Sequence, residues 1–177
     1  RLTLLQACLP QRGIWSSMTP PARPTRFPPV RRVGADMDWN LSTAARTMYQ
    51  EARGEPLDGQ KAVAHAITNR VKDGRWGTSL GSVCLSRNQF SAWGPVEPTD
   101  KNMLADFRDS CAKTDDDPEI VYLAGLLQKA LDGEPDPTGG GTHYYNPKEV
   151  KTKPSFALPP SICCGQFGQQ MFYRNVP

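Results

Sequence analysis

The sequence lacks any long apolar run: no stretch approaches the roughly 18 residues that a membrane-spanning helix needs. It also lacks a strong charge of one sign, because 21 basic residues stand against 18 acidic ones and leave a formal net charge of +3. Such a balance does not indicate a nucleic-acid binder, although it is compatible with an anionic polymer as partner. With 177 residues, the chain fits one domain that can bury a core without further cross-links.

Histidine and cysteine are too sparse for a recognisable metal site. The chain holds only two histidines, His65 and His143, and no His-Glu-x-x-His motif, whereas a catalytic zinc needs about three protein ligands. The five cysteines include no Cys-x-x-Cys, so neither a zinc ribbon nor a disulfide framework is predicted, and the pairing of single cysteines stays open. The neighbours Cys163 and Cys164 are predicted to be small, buried apolar residues rather than ligands of a soft metal. We expect no metal and no cofactor.

Proline and arginine set residues 1–37 apart from the rest of the chain. Neither a helical nor an alternating apolar pattern survives between these residues, which predicts an extended arm. We interpret the arm as a linker or as a segment that docks on a partner. The globular pattern begins near Asp38, so a single domain is expected at residues 38–177.

Apolar spacing predicts two amphipathic helices at the start of this domain. In the first, apolar side chains recur at helical spacing over residues 41–52. Asn40 or Ser42 is expected as its N-cap, and Gly54 as its C-terminal stop. The second helix is expected over residues 60–72, after a short turn.

Two further helices and a strand are predicted downstream. One helix is expected around residues 104–111, and the other over residues 118–131. The latter is apolar on most of its circumference and is therefore predicted to be the central buried helix. The acidic run at residues 115–117 is interpreted as a solvated flank that complements the dipole of this helix. Residues 171–174 are expected to form an edge strand.

Glu51 occupies an unusual position for a carboxylate. It lies in the last turn of the first predicted helix, beside the apolar stripe that contains Ala44 and Met48, and at the negative end of the helix dipole. Partial burial and the dipole should raise the pKa of Glu51, while Arg53 should lower it. A raised pKa suits a general acid that protonates a glycosidic oxygen near neutral pH. A glutamate at a helix end is more often a surface charge, so position alone does not decide this role.

Later segments carry the side chains that a sugar groove uses. Gln89 and Ser91 alternate with aromatic residues that include Trp93, and such groups bind sugar substituents and pyranose faces. The glycine-rich residues 136–142 lack the Gly-Lys-Ser/Thr of a P-loop. Their glycines are expected to let the backbone approach a ligand or Tyr144 closely.

Two other polar features have alternative interpretations. His65 and Asn69 lie four residues apart on the second helix and could orient a substrate, although a solvated helix edge is the simpler interpretation. A cysteine peptidase would pair Cys84 or Cys111 with His143. No helix N-terminus or basic cluster is evident to lower the pKa of either thiol, so this class is disfavoured.

Blocks of sequence along residues 41–174 follow the pattern of one family. In combination they resemble the cell wall hydrolase family that includes the SleB-type spore-cortex-lytic enzymes. The matching blocks are Tyr-Gln-Glu-Ala-Arg-Gly-Glu-Pro at 49–56, the helix at 59–71, Gln-Phe-Ser-Ala-Trp at 89–93, Asp-Pro-Thr-Gly-Gly at 136–140, Tyr-Tyr-Asn-Pro at 144–147 and Phe-Tyr-Arg at 172–174. The resemblance implies an α+β, mainly α, lysozyme-like (lytic transglycosylase-like) single domain. It also implies cleavage of peptidoglycan between N-acetylmuramic acid and N-acetylglucosamine, by a lytic transglycosylase or a muramidase, with Glu51 as the catalytic acid.

The resemblance also indicates a substrate groove, but it assigns no second catalytic carboxylate. Glu55, Asp58, Glu97 and Asp136 stay candidates for that role. The carboxylate separations of about 5 Å and 6.5–9.5 Å that distinguish retaining from inverting enzymes cannot be read from a sequence. Internal attack by the muramic 6-hydroxyl needs no such partner, so the missing carboxylate favours the lytic route. The predicted substrate-binding residues are Gln89, Ser91, Trp93, Tyr144, Tyr145 and Asn146.

Two departures from the family pattern affect the interpretation. The family often has a histidine where this chain has Gln170, and residues 1–37 have no counterpart. The arm favours a phage or prophage lysin, made in the host cytoplasm or carried in a virion, that acts on the wall in the periplasm or outside the cell. The expected partners are peptidoglycan and, through the arm, virion proteins, without nucleic acid or a membrane span. The alternative is a non-catalytic virion structural or wall-binding protein that retains the fold.

Overall fold

The computed structural model describes residues 37–90, 93 and 101–177. In this part of the chain, helices surround one apolar core, and a small antiparallel sheet follows them. The helices are α1 (Trp39–Ala52), α2 (Leu57–Asp73), α3 (Leu80–Cys84), α4 (Lys101–Ala112) and α5 (Pro118–Leu131), and the strands are β1 (His143–Tyr145), β2 (Ile162–Phe167) and β3 (Gln170–Arg174).

The starts of α1 and α2 differ from the prediction by a few residues. Asp38, which precedes the predicted caps, is the N-cap of α1, and its side chain accepts a hydrogen bond from the backbone N–H of Asn40. Helix α2 begins at Leu57, inside the predicted turn, because Pro56 fixes the backbone just before the first turn. It ends as predicted before Gly74, whose φ of 80° is a left-handed conformation that glycine adopts without strain. Helix α4 lies where a helix was predicted.

The central helix is α1 and not, as predicted, α5. Every residue of α1 from 42 to 49 is buried, including Thr47. Helix α5 has the predicted bounds, but its Tyr122 and Leu131 are 49% and 47% exposed. The polar residues of α1 tolerate burial because they have partners: Thr47 Oγ1 donates to the carbonyl of Thr43 at 2.9 Å. Apolar content alone therefore identified the wrong helix as central.

A partly buried ion pair connects α1 to the acidic run before α5. The Arg46 side chain is only 8% exposed, and its Nη1 lies 2.6 Å from Asp115 Oδ1. Ser42 Oγ donates to the same carboxylate oxygen at 2.7 Å, and Arg46 Nη2 donates to the carbonyl of Lys113 at 2.7 Å. Asp117 caps α5 by accepting a hydrogen bond from its first turn. The prediction of a solvated acidic flank is therefore wrong for Asp115, which neutralises a buried charge.

The sheet has the order β1-β3-β2, and both pairs of strands are antiparallel. The predicted edge strand lies within β3 and is therefore central, with Phe172 fully buried in the core. On β1, Tyr144 pairs with Phe172, which brings Tyr144 against the same core. On β2, Cys163 is exposed and Cys164 is half-buried, both as free thiols, so the prediction that they are buried is wrong.

Asp115 should contribute strongly to stability through its ion pair. Asp115→Ala leaves the Arg46 charge buried without its carboxylate, a loss that typically costs about 3–5 kcal/mol. We expect urea unfolding at pH 7 to show a free energy of unfolding lower by at least about 2 kcal/mol. The control Asp116→Ala removes an exposed carboxylate of the same run and should change this free energy by less than about 0.5 kcal/mol. Equal losses in the two variants would contradict the role of the ion pair.

Candidate active site

Glu51 and Tyr144 meet where the end of α1 faces the sheet. The Tyr144 hydroxyl donates a hydrogen bond to Glu51 Oε2 at 3.2 Å, across 93 positions of sequence. Glu51 is half-buried in the last turn of α1. Tyr144 reaches it from β1, where the centroid of the tyrosine ring lies 5.1 Å from that of the Phe172 ring. Both residues were predicted as site residues, and the structure brings them together.

Burial keeps the Tyr144 hydroxyl protonated. Desolvation raises the pKa of Tyr144 well above its usual 10.0, and the negative charge of Glu51 raises it further. Arg70 acts in the opposite direction without reversing the shift. A protonated phenol is a hydrogen-bond donor to the Glu51 carboxylate, and such a bond favours the charged form of an acid. The raised pKa that the helix position of Glu51 predicts stays a prediction.

Arg70 adds a buried positive charge near the Glu51 and Tyr144 side chains. It is 5% exposed, and its Nε donates to the carbonyl of Thr142 at 2.7 Å. Burial lowers the pKa of Arg70, whereas the negative charges that Tyr144 and Glu51 can carry raise it. The guanidinium therefore interacts electrostatically with the site. Sequence patterns did not single out Arg70, although it lies within the matching block at residues 59–71.

Glu51 lines a cleft with a volume of about 470 Å³. The cleft is formed by residues 50–55 at the end of α1, by Glu149, and by Gln169 and Gln170 in the β2–β3 hairpin. Carboxylate and amide groups thus surround Glu51, which suits a polar ligand. The sequence did not identify Glu149 as a cleft residue, because neither a motif nor an apolar period marks its position.

Tyr145 and Asn146, two further predicted site residues, have mainly structural contacts. Tyr145 lies on the opposite face of β1 from Tyr144, because side chains alternate along a strand. Its ring stacks on that of Tyr173, with centroids 6.0 Å apart, in a second apolar cluster. Asn146 is 9% exposed, and its Nδ2 donates to Oε1 of the cleft residue Glu149 at 2.9 Å. Direct sugar contacts of Tyr145 and Asn146 stay predictions.

The Gln-Phe-Ser-Ala-Trp segment lies only partly within the described residues. Trp93 is 6% exposed, and its Nε1 donates to Thr47 Oγ1 at 2.7 Å, one helical turn before Glu51. Gln89 is half-buried, and its carbonyl accepts a hydrogen bond from the buried arginine of α2 at 3.3 Å. Ser91 lies outside the residues that the structure describes. Trp93 thus supports the helix that carries Glu51 and does not present a ring face to solvent, while a sugar contact of Gln89 stays a prediction.

Asp136 anchors the glycine-rich loop that leads into β1. One of its oxygens accepts hydrogen bonds from the N–H and the hydroxyl of Thr138, each at 2.8 Å, and the other accepts from the Gly140 N–H at 2.8 Å. Asn69 Nδ2 donates to the same carboxylate at 2.9 Å. Burial opposes the ionisation of Asp136, but these hydrogen bonds lower its pKa overall. His65 and Asn69 are buried, so they do not form the solvated edge considered from sequence, and Asn69 holds the loop in place.

The candidates for a second catalytic carboxylate are engaged elsewhere or lie outside the described residues. Asp136 is committed to the loop before β1. Glu55 and Asp58 accept backbone hydrogen bonds, at 2.7 and 3.3 Å, from the turn between β2 and β3. Glu97 falls outside the described ranges. The structure therefore adds no assigned partner to Glu51.

Neither a metal centre nor a membrane span is found within residues 37–90, 93 and 101–177. Histidine, cysteine and acidic side chains in these ranges form no group of three or more that could hold an ion. No helix there is long and apolar enough to cross a membrane.

Two solved catalytic domains resemble this fold. The catalytic domain of the Bacillus cereus SleB protein matches with a TM-score of 0.51 and 26% identity, over 75% of this chain and 88% of that one. The catalytic domain of the germination-specific lytic transglycosylase SleB from Bacillus anthracis matches with a TM-score of 0.55 and 26% identity, over 75% of this chain and 92% of that one. These matches confirm the predicted α+β, mainly α, lysozyme-like fold.

Two curated sequence relatives are spore cortex-lytic enzymes. A spore cortex-lytic enzyme of Halalkalibacterium halodurans is 33% identical over 112 residues, which are 62% of this chain and 28% of the relative. A spore cortex-lytic enzyme of Oceanobacillus iheyensis is 29% identical over 114 residues, 61% of this chain and 33% of the relative. The chain thus spans about a third of the length of these curated relatives.

The match to one family model covers most of the described chain. The sequence model of the cell wall hydrolase family matches residues 54–173, a range that begins just after Glu51. The match covers the blocks that carry the resemblance, except residues 49–53 and Arg174, and it confirms the predicted family. The chain therefore belongs to the cell wall hydrolase family.

Proposed function

We propose that this domain cleaves the glycan of peptidoglycan between N-acetylmuramic acid and N-acetylglucosamine as a lytic transglycosylase. The observation that carries the proposal is the position of Glu51, half-buried in the cleft with its Oε2 3.2 Å from the Tyr144 hydroxyl. A carboxyl group held at one place on a cleft wall can protonate the oxygen of a bound glycosidic bond. The names of the related lytic transglycosylase and spore cortex-lytic enzymes support this reaction class.

Glu51 acts first as an acid and then as a base. Its proton passes to the glycosidic oxygen as the bond to the muramic C1 breaks, so N-acetylglucosamine leaves as an alcohol. The carboxylate then removes the proton of the muramic 6-hydroxyl, whose oxygen attacks C1 and closes an anhydro ring. Glu51 ends with a proton, as it began, and no water is consumed. Between the two steps, the Tyr144 hydroxyl stabilises the carboxylate by its hydrogen bond.

The surroundings of the other carboxylates favour the lytic route over hydrolysis. Hydrolysis by a pair of carboxylates needs the second group at about 5 Å or 6.5–9.5 Å from the first. Glu55 and Asp58 are engaged with the β2–β3 turn, and Asp136 with the loop before β1. The muramic 6-hydroxyl needs no protein nucleophile because it belongs to the substrate. If water took its place, the same acid would give hydrolysis and a different product.

The substrate implies work at the bacterial wall, in the periplasm or outside the cell. A phage or prophage origin, with virion proteins as partners of residues 1–37, is the more specific part of the proposal. It rests on the proline- and arginine-rich composition of that segment, which has no counterpart in the family pattern. Residues 1–36 lie outside the described part of the chain and the relatives are named as spore enzymes, so this origin stays a prediction.

Replacing Glu51 should remove most of the activity. Glu51→Gln keeps the size of the side chain but cannot transfer the proton, so the rate of glycan cleavage should fall by about 10²–10⁴. Mass spectrometry of sacculi digested by the wild type should find muropeptides with 1,6-anhydro ends. The control Glu119→Gln changes a carboxylate that is exposed on α5, and it should leave the rate within about twofold of the wild type.

Three other outcomes would change the proposed reaction or the role of Glu51. Reducing muramic ends in the wild-type digest would replace the lytic route by hydrolysis. Equal clearing of outer-membrane-stripped cells by the wild type and by Glu51→Gln would remove Glu51 from the reaction. Binding to these cells without clearing by either protein would favour the non-catalytic alternative.

Tyr144→Phe tests the hydrogen bond to the acid. The variant keeps the ring that packs on Phe172, so the apolar contacts of this side chain should be preserved. A hydrogen bond to a charged group contributes about 1.5–3 kcal/mol, so kcat/KM should fall by about tenfold to 100-fold. An unchanged kcat/KM would contradict the role of Tyr144.

A further inference from the structure

Glu55 lines the cleft and binds the turn that contributes to the same cleft. Its Oε2 accepts a hydrogen bond from the backbone N–H of Gln169 at 2.7 Å, and its Oε1 accepts one from the side-chain amide of Gln170 at 3.4 Å. Both glutamines line the cleft together with Glu51. The two oxygens of Glu55 therefore connect the β2–β3 turn to the segment between α1 and α2.

Two glycines permit the close approach between this turn and Glu55. A β-carbon on Gly168 would overlap Glu55 Oε2, and one on Gly59 would lie 3.0 Å from the same atom. Gly168 also has a φ of 59°, a conformation that strains other residues. Its N–H donates to Asp58 Oδ2 at 3.3 Å, which is a second contact between the same segments. The turn is thus seated closely against the start of α2.

The position of this turn affects the space around Glu51. Gln169 and Gln170 can shift relative to the end of α1 only if their contacts with Glu55 change. A binding cleft holds its ligand by its shape and by a few placed polar groups, so a displaced turn would weaken the binding of a glycan. Both oxygens of Glu55 accept hydrogen bonds from this hairpin, which gives the side chain a structural contact in the wall of the cleft.

We propose that Glu55 is a positioning residue, which holds the β2–β3 turn against the end of α1 and thereby sets the width of the substrate cleft. This inference rests on the proposed function of Glu51. It gives Glu55 a role in glycan binding and removes it from the candidates for a second catalytic carboxylate. Gln170 is one of the side chains that Glu55 positions.

Kinetics on soluble, un-cross-linked glycan strands separate positioning from proton transfer. Glu55→Ala frees the turn, so KM should rise about tenfold while kcat stays within about threefold. Glu55→Gln keeps an oxygen for the Gln169 N–H, and its amide nitrogen can donate to the oxygen of a rotated Gln170 amide. This conservative variant should therefore recover most of the wild-type KM. The pH–rate profiles of both variants should match the wild type because Glu51 is intact.

Binding in an inactive background provides a readout that does not depend on turnover. With Glu51→Gln as the parent, the addition of Glu55→Ala should raise the Kd for glycan strands about tenfold by calorimetry. The matched control, Glu119→Ala in the same parent, removes an exposed carboxylate and should leave the Kd within about twofold.

Gly168→Ala disrupts the contact between Glu55 and the β2–β3 turn by a change in the turn itself. Its β-carbon would displace the Glu55 carboxylate, so this variant should raise KM as Glu55→Ala does. The two changes combined should raise KM by less than the product of their single effects, because each breaks the same contact.

Distinct results would overturn the inference or the function on which it rests. If Glu55→Gln lowers kcat as far as Glu51→Gln and removes a limb of the pH–rate profile, Glu55 is a catalytic carboxylate and the inference is wrong. An unchanged KM in Glu55→Ala, together with an unchanged Kd in the double variant, would also overturn it. A wild type that binds strands but releases no product would contradict the proposed function instead, while the Kd comparison would still report on Glu55.

Discussion

The hydrogen bond from the Tyr144 hydroxyl to Glu51 Oε2 joins the end of a helix to an edge strand, and the rest of the site depends on it. The contact requires a buried tyrosine, which the packing of Tyr144 on Phe172 of the central strand provides. Burial keeps the phenol protonated, so the bond has a defined donor. Glu51 is thereby held at one place in the cleft, which is what a group that must deliver a proton to a bound sugar requires.

Polar contacts between distant segments place the elements around Glu51. Arg46 fixes α1 to Asp115, and Asn69 fixes the glycine-rich loop through Asp136. Glu55 holds the β2–β3 turn in the same way. The partners in these contacts lie 69, 67 and 114 positions apart in the sequence. The first two contacts, which are partly buried, specify one arrangement more strictly than apolar packing, because a buried polar group without a partner is costly.

Features with local causes were predictable from the sequence, and features with distant causes were not. Helix α5 has its predicted bounds because its acidic cap and the proline of its first turn are adjacent in sequence. The central helix was not predictable, because the burial of Arg46 depends on the distant Asp115. In the site, motifs identified Glu51 and Tyr144, but the strand register that turns Tyr145 to the other face has no local signal.

A trapped complex tests most directly whether Glu51 is the acid. In a crystal structure of the Glu51→Gln variant with a peptidoglycan tetrasaccharide, a glycosidic oxygen should lie within about 3.2 Å of the side chain of residue 51. The glycan should also pass along the turn that carries Gln169 and Gln170. Two results would contradict that role: glycan bound on another surface, or glycan bound in this cleft with no glycosidic oxygen in reach of residue 51, either directly or through one water.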